Sequence, residues 1–127
     1  MGLSIARAFA LRGAEVTLIY GIMSESIPYY IKKSIFAPTA KLMYDAVMEH
    51  SKDYDIIVQC AAVSDYKPVK PSTQKLKKSG NFNLELVATP DILEHLGKIK
   101  LKKQRLVGFA AESEHILENA REKLEQK

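Results

Sequence analysis

The chain has 127 residues, a formal net charge of +4 and 46% hydrophobic residues. That size suits one domain, and that apolar content excludes a chain disordered by composition. Its apolar runs fall far short of a membrane span, no secretory pattern follows Met1, and Cys60 is the only cysteine, so the expected setting is cytoplasmic, without an internal disulfide.

Residues 2–12 carry Leu3, Ile5, Ala6, Phe9 and Ala10 on roughly one helical face, and Gly13 is placed to end that helix. AEVTLIY (14–20) reads as a strand rich in β-branched and aromatic residues. Residues 21–28 read as loop, and a short strand is expected around 34–37. Pro38 and Thr39 open a second helix in which Leu42, Met43, Ala46 and Val47 share a face. DIIVQCAA (55–62) is an almost unbroken apolar run, the pattern of a central parallel strand covered on both sides.

The stretch 64–80 breaks this rhythm. Pro68 and Pro71 disfavour regular structure, and Lys67, Lys70, Lys75, Lys77 and Lys78 crowd it. A loop of that length inside a compact domain is usually functional or mobile. Residues 82–87 read as a strand. Thr89-Pro90-Asp91 reads as a helix start, with Thr89 as the cap and Pro90 at the first helical position. RLVGFAA (105–111) reads as another buried strand, and 113–127 as a closing helix with Ile116, Leu117, Ala120 and Leu124 facing inward.

The alternation of strand and helix points to an α/β fold: a doubly wound, mostly parallel, Rossmann-like sheet with helices on both faces. In such sheets ligands sit beyond the carboxyl ends of the strands. CAAVSDYKP (60–68) occupies such an end. Its alanines let a ligand approach the backbone, and Asp65 offers a hydrogen-bond acceptor.

Several site patterns are absent: CxxC, HExxH and GxxxxGK[ST]. His50, His95 and His115 fall in separate helices without metal-ligand spacing, so no metal ligand is assigned and Cys60 reads as a small buried hydrophobe. What remains is a set of cations and acceptors suited to a nucleotide. Asp65 could read a base or sugar edge, or cap a turn. The run Lys75-Leu76-Lys77-Lys78 could hold phosphates, or be a solvated loop. The 89–92 helix start could offer amides to a phosphate, and Lys123 and Lys127, four apart, share a face.

In order and spacing, MGLSIARAFALRGAEVTLIYG, AAVSDYKP, KLKK, ATPDIL, LVGFAAES and the pair Lys123 and Lys127 resemble phosphopantothenoylcysteine synthetase, over nearly the whole chain. The resemblance implies a ligase of coenzyme A synthesis that joins 4′-phosphopantothenate to cysteine. It uses CTP with Mg2+ and passes through an acyl-cytidylate. In the resemblance, Ala61 (by its backbone) and Asp65 match cytosine-binding positions, and Lys75 matches the lysine tied to conversion of the acyl-cytidylate. Pro90, Asp91, Ile92 and Leu93 match a segment lining the nucleotide, Phe109 an aromatic near base or ribose, and Lys123 and Lys127 a pair reaching the triphosphate. It further implies a homodimer and, in bacteria, a flavin-dependent decarboxylase as partner domain, with no nucleic acid or membrane partner.

The resemblance also creates an expectation of incompleteness, since a glycine-rich strand and turn would precede Met1 and further elements would follow Lys127. Two other readings compete with it. One is a nicotinamide-dependent oxidoreductase, disfavoured because GxGxxG is absent and no acid follows Tyr20 directly. The other is a nucleotide-binding module without catalysis. A nucleic-acid binder would need a basic stripe with interleaved aromatics, which Tyr29, Tyr30 and Tyr66 do not form.

Overall fold

A computed structural model describes residues 1–78 and 80–109. The chain opens with α1 (Gly2–Leu11), which ends where Gly13 takes a φ of +85°, a conformation that costs glycine little. β1 (Thr17–Tyr20) and β2 (Lys33–Phe36) pair in parallel, with Thr17 opposite Lys33 and Tyr20 opposite Phe36. α2 (Ala40–His50) follows, capped by the Thr39 hydroxyl, which accepts from the Leu42 amide at 3.2 Å.

β3 (Ile56–Gln59) pairs in parallel with β6 (Arg105–Gly108), the last described strand. Between them come an antiparallel ribbon of β4 (Tyr66–Pro68) and β5 (Leu86–Ala88), then α3 (Ile92–Ile99). The class is α/β with parallel pairing, as the element rhythm leads one to expect.

One apolar core joins these parts. Ala37, Met43, Val47, Ile92 and Leu96 are buried together, and Ile19, Ile57 and Leu106 pack on them from β1, β3 and β6. At its lower end Gln104 is buried and donates to the carbonyls of Ser51 at 2.5 Å and Tyr54 at 2.6 Å. Its own Oε1 accepts from the Leu101 amide. The turn before β6 is thereby tied to the segment before β3.

The structure revises several sequence expectations. The run 55–62 narrows to β3, and it is not covered on every side: Ile56 is 45% exposed, because the described residues form three two-stranded sheets and β3 has no neighbour on its β1 side. The loop 64–80 is not wholly irregular, since Tyr66–Pro68 forms β4. Pro68 is tolerated at the end of a strand with one open edge, where no ladder needs its missing N–H. The strand expected at 82–87 shrinks to β5. The strand expected at 105–111 is seen as β6 in its described part. The helix expected at 113–127 lies outside the described residues.

Candidate functional site

The carboxyl ends of β3 and β6 lie side by side. Gln59 is opposite Gly108 in the ladder, so Cys60 and Phe109 leave the sheet as neighbours. Beyond β3 the chain turns sharply, with the Val63 amide donating to the Ala61 carbonyl at 3.1 Å, and then reaches Asp65. Ala61 and Asp65 are both exposed, so the backbone of the one and the carboxylate of the other face solvent at the strand end.

The 89–91 segment is fastened to the same place. The Thr89 amide donates to the Asp65 carbonyl at 2.8 Å, and the Thr89 hydroxyl donates to the Ser64 carbonyl at 2.5 Å. The Ser64 hydroxyl donates to the Tyr66 carbonyl at 2.8 Å. These bonds fix the angle at which β5 passes into α3 beside the Asp65 turn. From the other side, α3 presses on β6: a Cβ placed on Gly108 would run into Leu93 Cδ2, so glycine allows the helix start to sit against the strand end.

Of the residues singled out from sequence, the structure gathers Ala61, Asp65, Pro90, Asp91, Leu93 and Phe109 around this end of the β3–β6 pair. Pro90 and Asp91 are exposed, Leu93 is half-buried and Phe109 is 52% exposed. Ile92 belongs to the core, with 4% of its surface accessible, so it anchors α3 and offers a ligand only its backbone. Lys75 sits on the exposed excursion between β4 and β5, outside the hydrogen-bonded cluster. Lys123 and Lys127 lie outside the described residues.

The helix start differs from its sequence reading. Asp91, not Thr89, is the cap: its carboxylate accepts from the Glu94 amide at 2.9 Å, and α3 begins at Ile92. Thr89 serves instead as the latch to Ser64, a role that only the fold reveals, since its partner is 25 residues away. A carboxylate already occupies the α3 N-terminus. Glu94 in the first turn adds a second acid, whose carboxyl is held below its ordinary range by a hydrogen bond from Lys98 and by that ammonium's charge. This end of α3 is therefore a poor phosphate cradle, whereas Asp65 and the exposed backbone of Ala61 suit the hydrogen-bonding edge of a base.

A second approach to the strand ends went unnoticed in the sequence. Gly2 stands beside Cys60, where a Cβ would meet the sulfur at 3.1 Å, so the start of α1 borders the end of β3. Among the described residues no group of three or more His, Cys, Asp or Glu side chains is arranged to hold a metal ion. No described helix is long and apolar enough to cross a membrane.

Comparison with known proteins decides the family. The profile of the DNA/pantothenate metabolism flavoprotein C-terminal domain matches residues 1–127. The chain belongs to that family. It is 40% identical over its whole length to 32% of the coenzyme A biosynthesis bifunctional protein CoaBC of Haemophilus influenzae. With the CoaBC of Escherichia coli it shares 36% identity, over 97% of this chain and 31% of that protein. A cysteine/cysteine sulfinic acid decarboxylase from an unknown prokaryotic organism is 39% identical over all of this chain and 36% of its own length. The crystal structure of the C-terminal domain of a CoaBC superposes with a TM-score of 0.83 at 34% identity, covering 98% of this chain and 58% of that one. The chain thus spans about a third of the length of these curated relatives, and it is a homologue of the C-terminal domain of CoaBC.

Proposed function

We propose that this chain forms the nucleotide-reading part of a CTP-dependent ligase that couples 4′-phosphopantothenate to cysteine in coenzyme A synthesis. The observation that carries the reading is the convergence of Ala61, Asp65, Pro90, Asp91 and Phe109 on one end of the β3–β6 pair, in a homologue of the CoaBC C-terminal domain.

In this reading the ionised Asp65 accepts a hydrogen bond from the exocyclic amine of cytosine, a donor that uracil lacks. The exposed backbone of Ala61 takes a second position on the base edge, and Phe109 offers a ring to base or ribose. Pro90 and the backbone of 91–93 would flank the base beside the Thr89 latch. The pantothenoyl carboxylate attacks the α-phosphorus of CTP, forming the acyl-cytidylate as pyrophosphate departs. The cysteine amine then attacks the acyl carbon, an amide forms, CMP leaves, and the amine gives up a proton. Lys75, on the β4–β5 excursion, is assigned to the charge developing around the acyl-cytidylate; Lys123 and Lys127 are assigned to the outer phosphates. Magnesium fits no carboxylate cluster of the described residues, so it would enter on the phosphate oxygens of the nucleotide. The same reading makes a second copy of the chain and a flavin-dependent decarboxylase domain its polypeptide partners.

The test has two parts. Incubation of a full-length ligase that carries this chain with CTP, Mg2+, 4′-phosphopantothenate and cysteine should release CMP and amide product together, whereas residues 1–127 alone should make little or none. Asp65→Ala should weaken CTP binding by about 1–3 kcal/mol, the scale of a lost charge-assisted hydrogen bond, with a smaller change for UTP. Equal loss for CTP, UTP and ATP would reduce Asp65 to a loop-shaping residue. CTP binding without turnover would leave a nucleotide-binding module.

A further inference from the structure

Thr89 bonds both peptide groups that flank Asp65. Its hydroxyl donates at 2.5 Å to the Ser64 carbonyl, which belongs to the peptide before Asp65. Its amide donates at 2.8 Å to the Asp65 carbonyl, which belongs to the peptide after it. The amide bond continues the β4–β5 pairing one step past Tyr66 and Ala88. The hydroxyl bond is an addition that no ladder requires. Peptide groups are planar, so holding the planes on both sides of a residue holds its backbone torsions and the direction of its Cα–Cβ bond. Among the described residues the Asp65 carboxylate itself makes no hydrogen bond or ion pair, so its aim depends on that backbone.

Thr89 is placed in turn by the residues that follow it. Pro90 disfavours the helical region for the residue before it and so keeps Thr89 extended. Asp91 caps α3, and Ile92 and Leu96 of that helix are buried in the core. The Thr89 hydroxyl thus ties the Asp65 turn to the start of a buried helix, across 25 residues of sequence.

We propose that Thr89 is a positioning residue for base selection, its hydroxyl holding the Asp65 carboxylate at the angle that separates cytosine from uracil. This rests on the ligase reading, in which Asp65 meets the base. Where cytosine presents an amine, uracil presents a carbonyl oxygen. A well-aimed carboxylate accepts from the first and repels the second. Hydrogen bonds weaken steeply as their angle departs from linear, so a loosened carboxylate gains less from cytosine. It also repels uracil less, and discrimination falls from both sides. Contacts to ribose and phosphates are common to CTP and UTP and cancel in the ratio of their affinities. The Ser64 carbonyl is on an exposed residue, so water can replace the lost hydroxyl and the fold should tolerate its removal.

The test measures Kd for CTP and UTP, and KM and kcat for CTP, on a full-length ligase that carries this chain. Thr89→Val keeps the amide and the shape of the side chain but loses the hydroxyl. It should lower the preference for CTP over UTP by about 3–10-fold, the scale of one hydrogen bond, and raise KM for CTP more than it lowers kcat. Thr89→Ala should repeat the loss, and Thr89→Ser should restore the preference. Asp65→Ala combined with Thr89→Val should discriminate no worse than Asp65→Ala alone, because Thr89 acts through Asp65. Equal weakening of CTP and UTP by Thr89→Val would overturn the proposal. So would an unchanged ratio, a further drop in the double variant, or a failure of both Thr89→Val and Thr89→Ala to fold. In each of those cases a ratio still lowered by Asp65→Ala alone would leave the ligase reading standing. A ratio untouched by Asp65→Ala would remove both together.

Discussion

The α2–α3 side of the molecule and the β4–β5 ribbon use similar residue types in opposite ways. On the first, Leu96 is fully buried and Met43, Val47 and Ile92 are nearly so, with β1, β3 and β6 closing over them. On the second, Tyr66, Leu76, Phe82 and Leu84 are each more than half exposed, and the ribbon has only two strands. A two-stranded ribbon has little stability of its own. The α2–α3 side therefore holds the fold, while the ribbon is anchored where β5 passes into α3, whose Ile92 is part of the core. The site residues sit on the seam: Asp65 and Thr89 close the base of the ribbon, where the chain enters it from β3 and leaves it for α3.

The sharpest way to break this comparison is to truncate one leucine on each side. Leu96→Ala should cost about 2–5 kcal/mol, the range for emptying a fully buried leucine site. Leu84→Ala, 55% exposed on the ribbon side, should stay within about 0.5 kcal/mol. Urea unfolding of both variants checks it; a large loss at Leu84 would mean that the ribbon buries its apolar side chains against a partner.

Next in size is Gln104. Gln104→Leu keeps the bulk but strands the Ser51 and Tyr54 carbonyls, at a cost of about 1–3 kcal/mol. Amide exchange should quicken around 51–54 and leave the ribbon unaffected. A change spread over both regions would show that the ribbon is more firmly part of the core than its exposure indicates.

On the ribbon side, Lys75→Gln should leave the unfolding midpoint within about 0.5 kcal/mol of the parent, as for other exposed substitutions. In the ligase reading it should nevertheless depress amide formation and let acyl-cytidylate accumulate. Unchanged turnover would remove Lys75 from the chemistry.

These contrasts also explain what was legible in the sequence. The α/β class followed from the rhythm of elements, α1 and α2 from apolar spacing, and α3 from the turn chemistry of Thr89-Pro90-Asp91 at its start. Asp65 stood out because it follows an apolar run, where an acid has no packing reason to be. Strand ends were harder to read. Residues 55–62 are almost uninterruptedly apolar, yet the described ladder ends with Gln59 opposite Gly108. β4 was hidden by its lysine and proline, since a strand with two exposed faces carries no alternation to detect. Thr89 and Asp91 exchanged roles because both are good caps, and only the bond from Thr89 to Ser64 separates them.

The smallest effect is a pH response on α3. Glu94 and Lys98 form an i, i+4 pair with the acid on the N-terminal side, the favourable order along a helix. The hydrogen bond from Lys98, and then its charge, lower the Glu94 pKa on folding. A carboxyl with a lowered folded-state pKa binds its proton more readily when unfolded. Its contribution is therefore present above the ordinary glutamate range and is lost as pH falls through the folded value. The pair is solvent-exposed, so salt should weaken it as well. Glu94→Gln should slightly flatten the acid limb of a plot of unfolding midpoint against pH, leave the neutral limb almost parallel to the parent, and make α3 less sensitive to salt. An acid limb identical in both proteins would mean that the pair forms without differentially stabilising the folded helix, and that the Asp91 cap holds the start of α3 unaided.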